Sequence, residues 1–294
     1  MFVATLIAAG KLTGEVVREA IDRLDATGHD VGAPHWLDEG DAADIVFQGS
    51  LVSARAELMK MDHGALDVVV QPLGDRTKKL IIADMDSTMI TVECIDELAD
   101  YAGLKDQVAA ITAKAMRGEV DFRGALTERV ALLGGMAEMV LTECRLERVR
   151  LTRGARTLVQ TMKAHGAHSV LVSGGFTAFA GPVGEAIGFD KVVANELEIA
   201  GGKLTGTVRE PIVDSHTKLE TLKAEAAKHG LPLAETLAVG DGANDIPMIT
   251  AAGLGVGYHP HAAVGEAAAA SIRHHDLTAL LWAQGYPRRS WVLG

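Results

Sequence analysis

Two carboxylates one residue apart, Asp84 and Asp86, follow the apolar run Leu80-Ile81-Ile82-Ala83. Such a pair suits a nucleophile beside an acid/base, or an oxygen site for a divalent cation. An acidic turn that merely ends a strand has the same composition, so the pair alone leaves both readings open. Ser173-Gly174-Gly175 offers a hydroxyl and exposed backbone N–H groups near a helix start, a combination that binds phosphate. It is not a nucleophile elbow, because position 171 is Leu where that motif needs Gly. Lys218 lies just before a helical pattern and would neutralise phosphate charge, although a lone lysine is commonly a surface residue. Gly240-Asp241-Gly242-Ala243-Asn244-Asp245 places two carboxylates and an amide on one glycine-flanked turn. That is oxygen-only chemistry of the kind Mg²⁺ prefers, without the spacing of a Ca²⁺ loop.

These residues need a scaffold that gathers them. Four short apolar runs, 80–83, 169–172, 236–239 and 254–257, have the form of buried parallel strands, and helical patterns separate them. Asp84, Ser173 and Asp241 each stand at the carboxyl end of such a run, where open parallel sheets bind their ligands. Residues 89–168 exceed what a crossover needs and are helical in pattern, which predicts an inserted helical cap. Gly201-Gly202 between alternating segments predicts a β-hairpin over 196–208. Upstream, a strand at 2–8, a helix at 13–27, strands near 31–37 and 43–48, a helix at 51–59 and a strand at 65–70 spell βαββαβ, a ferredoxin-like module. The polar stretch Asp75-Arg76-Thr77-Lys78-Lys79 marks the boundary, giving domains 1–74 and 75–294.

Composition narrows the class. The chain has 294 residues, of which 48% are apolar, and a formal net charge of −11, so it builds a full core and shows no basic footprint for nucleic acid. Cys94 and Cys144 are its only cysteines, which points to a reducing compartment. The apolar start lacks a basic leader and is too short to span a membrane, so a cytoplasmic protein with no membrane or nucleic-acid partner is expected. Eleven histidines show no convincing metal-binding spacing.

Taken in order, these elements resemble the haloacid-dehalogenase phosphohydrolase superfamily. Within it they resemble the phosphoserine phosphatase family through Asp84-Met-Asp-Ser-Thr-Met-Ile-Thr-Val-Glu93, Met116-Arg-Gly-Glu-Val-Asp-Phe122, Glu128-Arg129-Val130, Ser173-Gly-Gly-Phe-Thr and Gly240-Asp-Gly-Ala-Asn-Asp-Ile-Pro-Met. The similarity spans roughly residues 78–275, and residues 1–74 resemble, more weakly, an ACT-like extension. It implies an α/β, Rossmann-like core and hydrolysis of O-phospho-L-serine, the last step of serine biosynthesis, through an aspartyl-phosphate. Asp84 would be the nucleophile and Asp86 the acid/base. Mg²⁺ would be held by the Asp84 carboxylate, the Asp86 carbonyl and Asp241, with Asp245 supporting. Ser173, Gly174, Gly175, Lys218 and Asn244 would surround the phosphoryl group. Glu93 would face the ammonium and Arg129 the carboxylate of the substrate, with Met116 and Phe122 closing the pocket. The N-terminal module would bind L-serine or mediate a homodimer.

Two departures stand out: Gly124-Ala125 where the family carries more polar residues, and Pro260-His261-Ala262 in place of a more basic stretch. Transfer of the phosphoryl group to an alcohol such as homoserine is compatible with the same residues. A non-enzymatic serine sensor would be expected to have lost at least one of them.

Overall fold

The first strand is apolar on both faces, and both are used. In β1 (Phe2–Ile7), Ala4 and Leu6 pack with Val17, Ala20 and Leu24 of α1 (Gly14–Ala26). The chain continues through β2 (Asp30–Val31), β3 (His35–Asp38), β4 (Ala42–Gln48), α2 (Leu51–Leu58) and β5 (Asp67–Pro72). The computed structural model describes residues 1–116 and 119–293, leaving aside the side chains of Ala115 and Met116. The antiparallel sheet runs β2-β4-β1-β5, with β3 also on β4, and its topology is ferredoxin-like βαββαβ. The strand expected over 31–37 is two short pieces, because Pro34 has no N–H to donate to a ladder.

The other face of this sheet carries Ile7, Ala42 and Val69, which belong to the same apolar core as Leu280, Leu281 and Trp282 at the far end of the chain. Polar contacts reinforce the seam. The buried Asp67 carboxylate accepts the backbone N–H groups of Arg273, His274 and His275 and takes His275 Nδ1 at 2.8 Å. Ala9 N donates to His275 Nε2 at 3.0 Å, which fixes the ring's tautomer with the proton on Nδ1. Arg76 grips Asp44 at 2.6 Å and 3.0 Å and also donates to the Trp282 carbonyl.

The second sheet is wholly parallel. It contains β6 (Leu80–Ala83), β7 (His168–Phe176), β8 (Lys191–Asn195), β11 (Thr236–Gly240), β12 (Leu254–Tyr258) and β13 (Ala270–Ile272), in the order β13-β12-β11-β6-β7-β8. Every residue of β6 is fully buried, as a central strand covered on both faces must be. The chain fills one side of β6 with β7 and β8, then crosses to fill the other with β11, β12 and β13. β6 is therefore the topological switch point, and Asp84 follows its last residue.

Helices α3 (Cys94–Tyr101), α4 (Lys105–Met116), α5 (Phe122–Leu132) and α6 (Met139–Arg148) rise between β6 and β7, before α7 (Ala155–Ala164) returns to pack on β7. We assign α3 to α6 to the cap. Helix α8 (Thr177–Ile187) leads to β8. The hairpin β9 (Leu197–Ala200) and β10 (Lys203–Val208) turns through Gly201 and Gly202 at φ +59° and +73°, as a two-residue turn of the primed type requires. β10 leans on α5. Helix α9 (Ser215–Lys228) starts at an Asp214 side chain that accepts Thr217 N at 2.9 Å. Of the Ala-rich residues 262–270, which composition predicts to be a helix, only Ala262–Ala267 is helical (α11, after α10 at Ile246–Ala251), and β13 follows; α12 (Ala279–Ala283) closes the seam.

Lys78 sits just before β6, 2% exposed, and donates to the Asp75 and Ala234 carbonyls. Burial pushes its pKa down to about 8 from an ordinary 10.5. A base whose folded pKa is depressed costs stability while charged, and that cost disappears as pH rises from the folded pKa to the unfolded one. The unfolding free energy of the native chain, less that of Lys78→Met, should rise by about 3 kcal/mol between pH 7 and pH 11 in chemical denaturation. A difference flat with pH would disprove this.

Candidate active site

The three strand ends converge as the topology requires. Ala83 pairs with Leu171 on one side and Val239 on the other, and Asp84 N extends the ladder to the Val239 carbonyl at 2.9 Å. Asp84, Ser173 and Asp241 thus emerge from adjacent strands. Lys218, fully buried on the first turn of α9, reaches in from beneath. Its Nζ lies 2.8 Å from Asp84 Oδ2 and 2.7 Å from Asp245 Oδ1. Asp245 is held in turn by Gly242 N, which donates to its Oδ2 at 3.1 Å. Gly240 has to be glycine, because a Cβ there would stand 2.3 Å from the Asp245 carboxyl.

A cavity of about 340 Å³ opens above these groups, lined by Asp84, Asp86, Glu93, Phe122, Arg129, Ser173, Gly174, Gly175, Asp241 and Asn244 among others. The sequence-predicted residues are thereby brought together, with Lys218 and Asp245 just beneath. Met116 ends α4, and its side chain lies outside the described residues. The cap supplies the upper wall. Glu93 stands at the start of α3 and accepts a hydrogen bond from Ser87 Oγ at 2.6 Å. Arg129 projects from α5, and its Nε donates to the Ala125 carbonyl at 3.2 Å. The Phe122 ring covers Gly174, where a Cβ would meet it at 3.0 Å.

Electrostatics sets the state of the carboxyls. Burial, and then the charge of Asp245, hold Asp84 well above the usual carboxylate range against the pull of Lys218. Burial, then Glu93, pushes Asp86 up to about 7, while burial, then Asp245 and Glu93, lifts Asp241 to about 6. Burial works against the Lys218 ammonium, but Asp245 and Asp84 outweigh it and keep its pKa above the ordinary value. The site thus holds more buried negative charge than one lysine balances. Asp84, Asp241 and Asp245 each offer an oxygen within 4.8 Å of the others. An all-oxygen, charge-excess set of this kind fits a hard divalent cation.

The sequence alone assigns no role to Thr88 or Asn195, yet both position the site. Thr88 is buried and donates to Asp241 Oδ1 at 3.1 Å, orienting it. Asn195 is buried at the end of β8, where it donates to the Gly174 carbonyl at 2.8 Å and accepts Val213 N at 2.7 Å. It ties the loop after β7 to the lead-in of α9, so it positions both Ser173-Gly174 and Lys218. Gly175 N donates to Ser173 Oγ at 2.9 Å, and the absence of a side chain at 175 makes room for Asp86 Oδ2. His261, from the segment that departs from the family pattern, lines the cavity mouth 4.0 Å from Asp241 Oδ2.

A parallel sheet with its acidic switch point, a buried lysine and a helical cap defines a hydrolase class. The chain belongs to the haloacid dehalogenase-like hydrolase family, whose pattern matches residues 81–250. It is 46% identical over 221 residues to a phosphoserine phosphatase of Streptomyces coelicolor, covering 75% of this chain but 54% of that relative. The chain thus spans about half the length of that curated relative. A probable phosphoserine phosphatase from Vibrio cholerae superposes with a TM-score of 0.77 at 32% identity, over 98% of this chain and 87% of the other. A phospho-aspartyl intermediate analogue of phosphoserine phosphatase superposes with a TM-score of 0.65 at 37% identity, over 70% of this chain and 98% of the other. Among the described residues, no helix is long and apolar enough to cross a membrane.

Proposed function

We propose that the chain is a Mg²⁺-dependent phosphatase acting on O-phospho-L-serine. One observation carries the reading: Lys218 Nζ bridges Asp84 and Asp245 beneath a cavity whose other wall holds Glu93 and Arg129. The lower half suits a phosphoryl dianion, and the upper half suits a zwitterion. The names of the relatives support the same substrate.

In this mechanism an Asp84 carboxylate oxygen forms a bond to phosphorus while the bond from phosphorus to the serine Oγ breaks. Asp86, whose raised pKa keeps a protonated fraction near neutrality, gives its proton to that oxygen as serine leaves. Asp86 then takes a proton from the water that attacks the aspartyl-phosphate, which releases phosphate and restores Asp84. Ser173 Oγ, the Gly174 backbone, Asn244 and Lys218 surround the phosphoryl oxygens. Mg²⁺, held by the Asp84 and Asp241 carboxylates and the Asp86 carbonyl with Asp245 behind, would supply charge stabilisation at the phosphoryl group. The N-terminal module serves regulation by serine or dimerisation in this reading, which its ferredoxin-like fold supports.

Phosphate release from a panel of phosphorylated metabolites with Mg²⁺ tests the assignment. Phosphoserine should give the highest kcat/KM; a clear preference for a sugar phosphate would sink it. Arg129→Ala removes a charge-assisted bond to the substrate carboxylate and should cut kcat/KM by about 10- to 100-fold, mostly through KM. It should leave phosphoethanolamine, which has no carboxylate, almost unaffected. Equal losses on the two substrates would disprove the role of Arg129.

A further inference from the structure

At the opposite end of the sheet from Asp84, a second group of ligating atoms converges. His168 opens β7, Glu225 lies on the last turn of α9, and His229, four residues on, caps that helix. Glu225 is 3% exposed, yet its Oε2 has no hydrogen-bond partner, and neither does His168 Nε2. These two atoms face each other at 3.3 Å, and His229 Nε2 lies 3.7 Å from the same oxygen. The two imidazole rings lie side by side with centroids 4.2 Å apart. Such separations are long for hydrogen bonds, but they match the ligand-to-ligand edge of a tetrahedral zinc site, about 3.3 Å for bonds near 2.05 Å.

We propose that His168, Glu225 and His229 form a binding site for a zinc-class divalent ion, separate from the acidic centre. The ligand chemistry differs from that of the active site: two imidazoles and one carboxylate favour borderline transition metals over Mg²⁺. The surroundings are built for it. His168 Nδ1 lies 3.4 Å from Asp190 Oδ2, the carboxylate–histidine arrangement that leaves Nε2 as the ligating nitrogen. Lys191 Nζ holds the other Glu225 oxygen, Oε1, at 2.7 Å and so directs Oε2 to the histidines. Lys228 stands 3.5 Å from Oε2, but its side chain is 65% exposed and free to swing into solvent. A cleft of about 360 Å³ lined by Lys79, His168, His229, Leu231 and Glu235 gives an ion a path in and leaves room for a water as fourth ligand. Glu225 and Lys218 share α9 and stand about 10 Å apart along its axis, so an ion here would brace the helix that carries the active-site lysine.

The full chain, held in excess Mg²⁺ to fill the oxygen site, is titrated with Co²⁺ as a spectroscopic probe. The expected result is one high-affinity Co²⁺ per chain with the visible absorption of a four-coordinate ion. His168→Gln and His229→Gln should each weaken binding at least about tenfold, and Asp190→Asn by about tenfold. His229 is partly exposed, so its variant should keep the native thermal midpoint without metal. Asp84→Asn should leave the titration unchanged. The proposal fails if Co²⁺ binds more weakly than about 1 mM, if both histidine variants bind as the native chain does, or if Asp84→Asn abolishes the signal.

Discussion

Asp84→Asn should lower phosphate release from phosphoserine by at least about four orders of magnitude while leaving the chain as stable as before, or more so, in the absence of divalent cations. The activity loss follows from replacing the carboxylate proposed as nucleophile; an amide does not form the acyl phosphate. The stability gain follows from the burial of the Asp84 carboxyl. Asp84 is 5% exposed and is held above the carboxylate range by burial and by Asp245, so its ionised form opposes folding when only Lys218 balances it. A neutral amide removes that repulsion. Single-turnover assays and thermal melts in chelator, run on the same preparations, check both halves. Activity within tenfold of the native chain would refute the nucleophile, and a large fall in melting temperature would refute the electrostatic account.

Lys218→Met should be costly in both respects. The ammonium is fully buried and bridges Asp84 and Asp245, and no other lysine or arginine among the described residues pairs with either. Removing one member of a buried charge group strands the rest, at a cost of about 3–5 kcal/mol. The two carboxylates left facing each other would have raised pKa values in the folded state. A raised folded pKa favours folding at low pH, and that advantage is lost as pH rises through it. The deficit of Lys218→Met should therefore be small near pH 4 and grow toward pH 8, and added Mg²⁺ should recover part of it. Loss of a preorganised cation at the phosphoryl group should also lower kcat by about 100- to 1000-fold. Denaturant midpoints across pH separate these effects, and a deficit independent of pH would show that the lysine acts only by packing.

The residues of the candidate site could be picked out in the sequence because buried parallel strands write themselves as short apolar runs. Three of the four runs lead into a polar residue, Asp84, Ser173 or Asp241, that the fold has no packing reason to keep. The ferredoxin-like order was legible for a similar reason, through the apolar run of β1 and helical spacing in α1. Short elements were not: β13 has three residues in an Ala-rich stretch, and β8 begins with a lysine and ends in an asparagine. Contacts between remote positions were hidden too. Asp67 meets His275 across 208 residues, and Thr88 meets Asp241 across 153, with no local pattern to announce either. The histidine pair shows the limit clearly. Glu225 and His229 have the one-turn spacing of metal ligands on a helix, but His168 comes from another strand, and only the sheet brings it alongside.

The seam beneath the N-terminal sheet bears on how this architecture could be recombined. Its apolar face is completed by Leu280, Leu281 and Trp282, and its buried Asp67 is satisfied by the backbone of residues 273–275. The first 74 residues therefore do not form a cassette that ends at the polar stretch after β5. The natural unit of exchange is discontinuous, and it includes the chain's last segment. A chimera that swaps only the N-terminal piece would carry an orphaned aspartate and an uncovered tryptophan. One that also transfers residues 273–291 would bring its own floor with it, and should fold where the simpler graft aggregates.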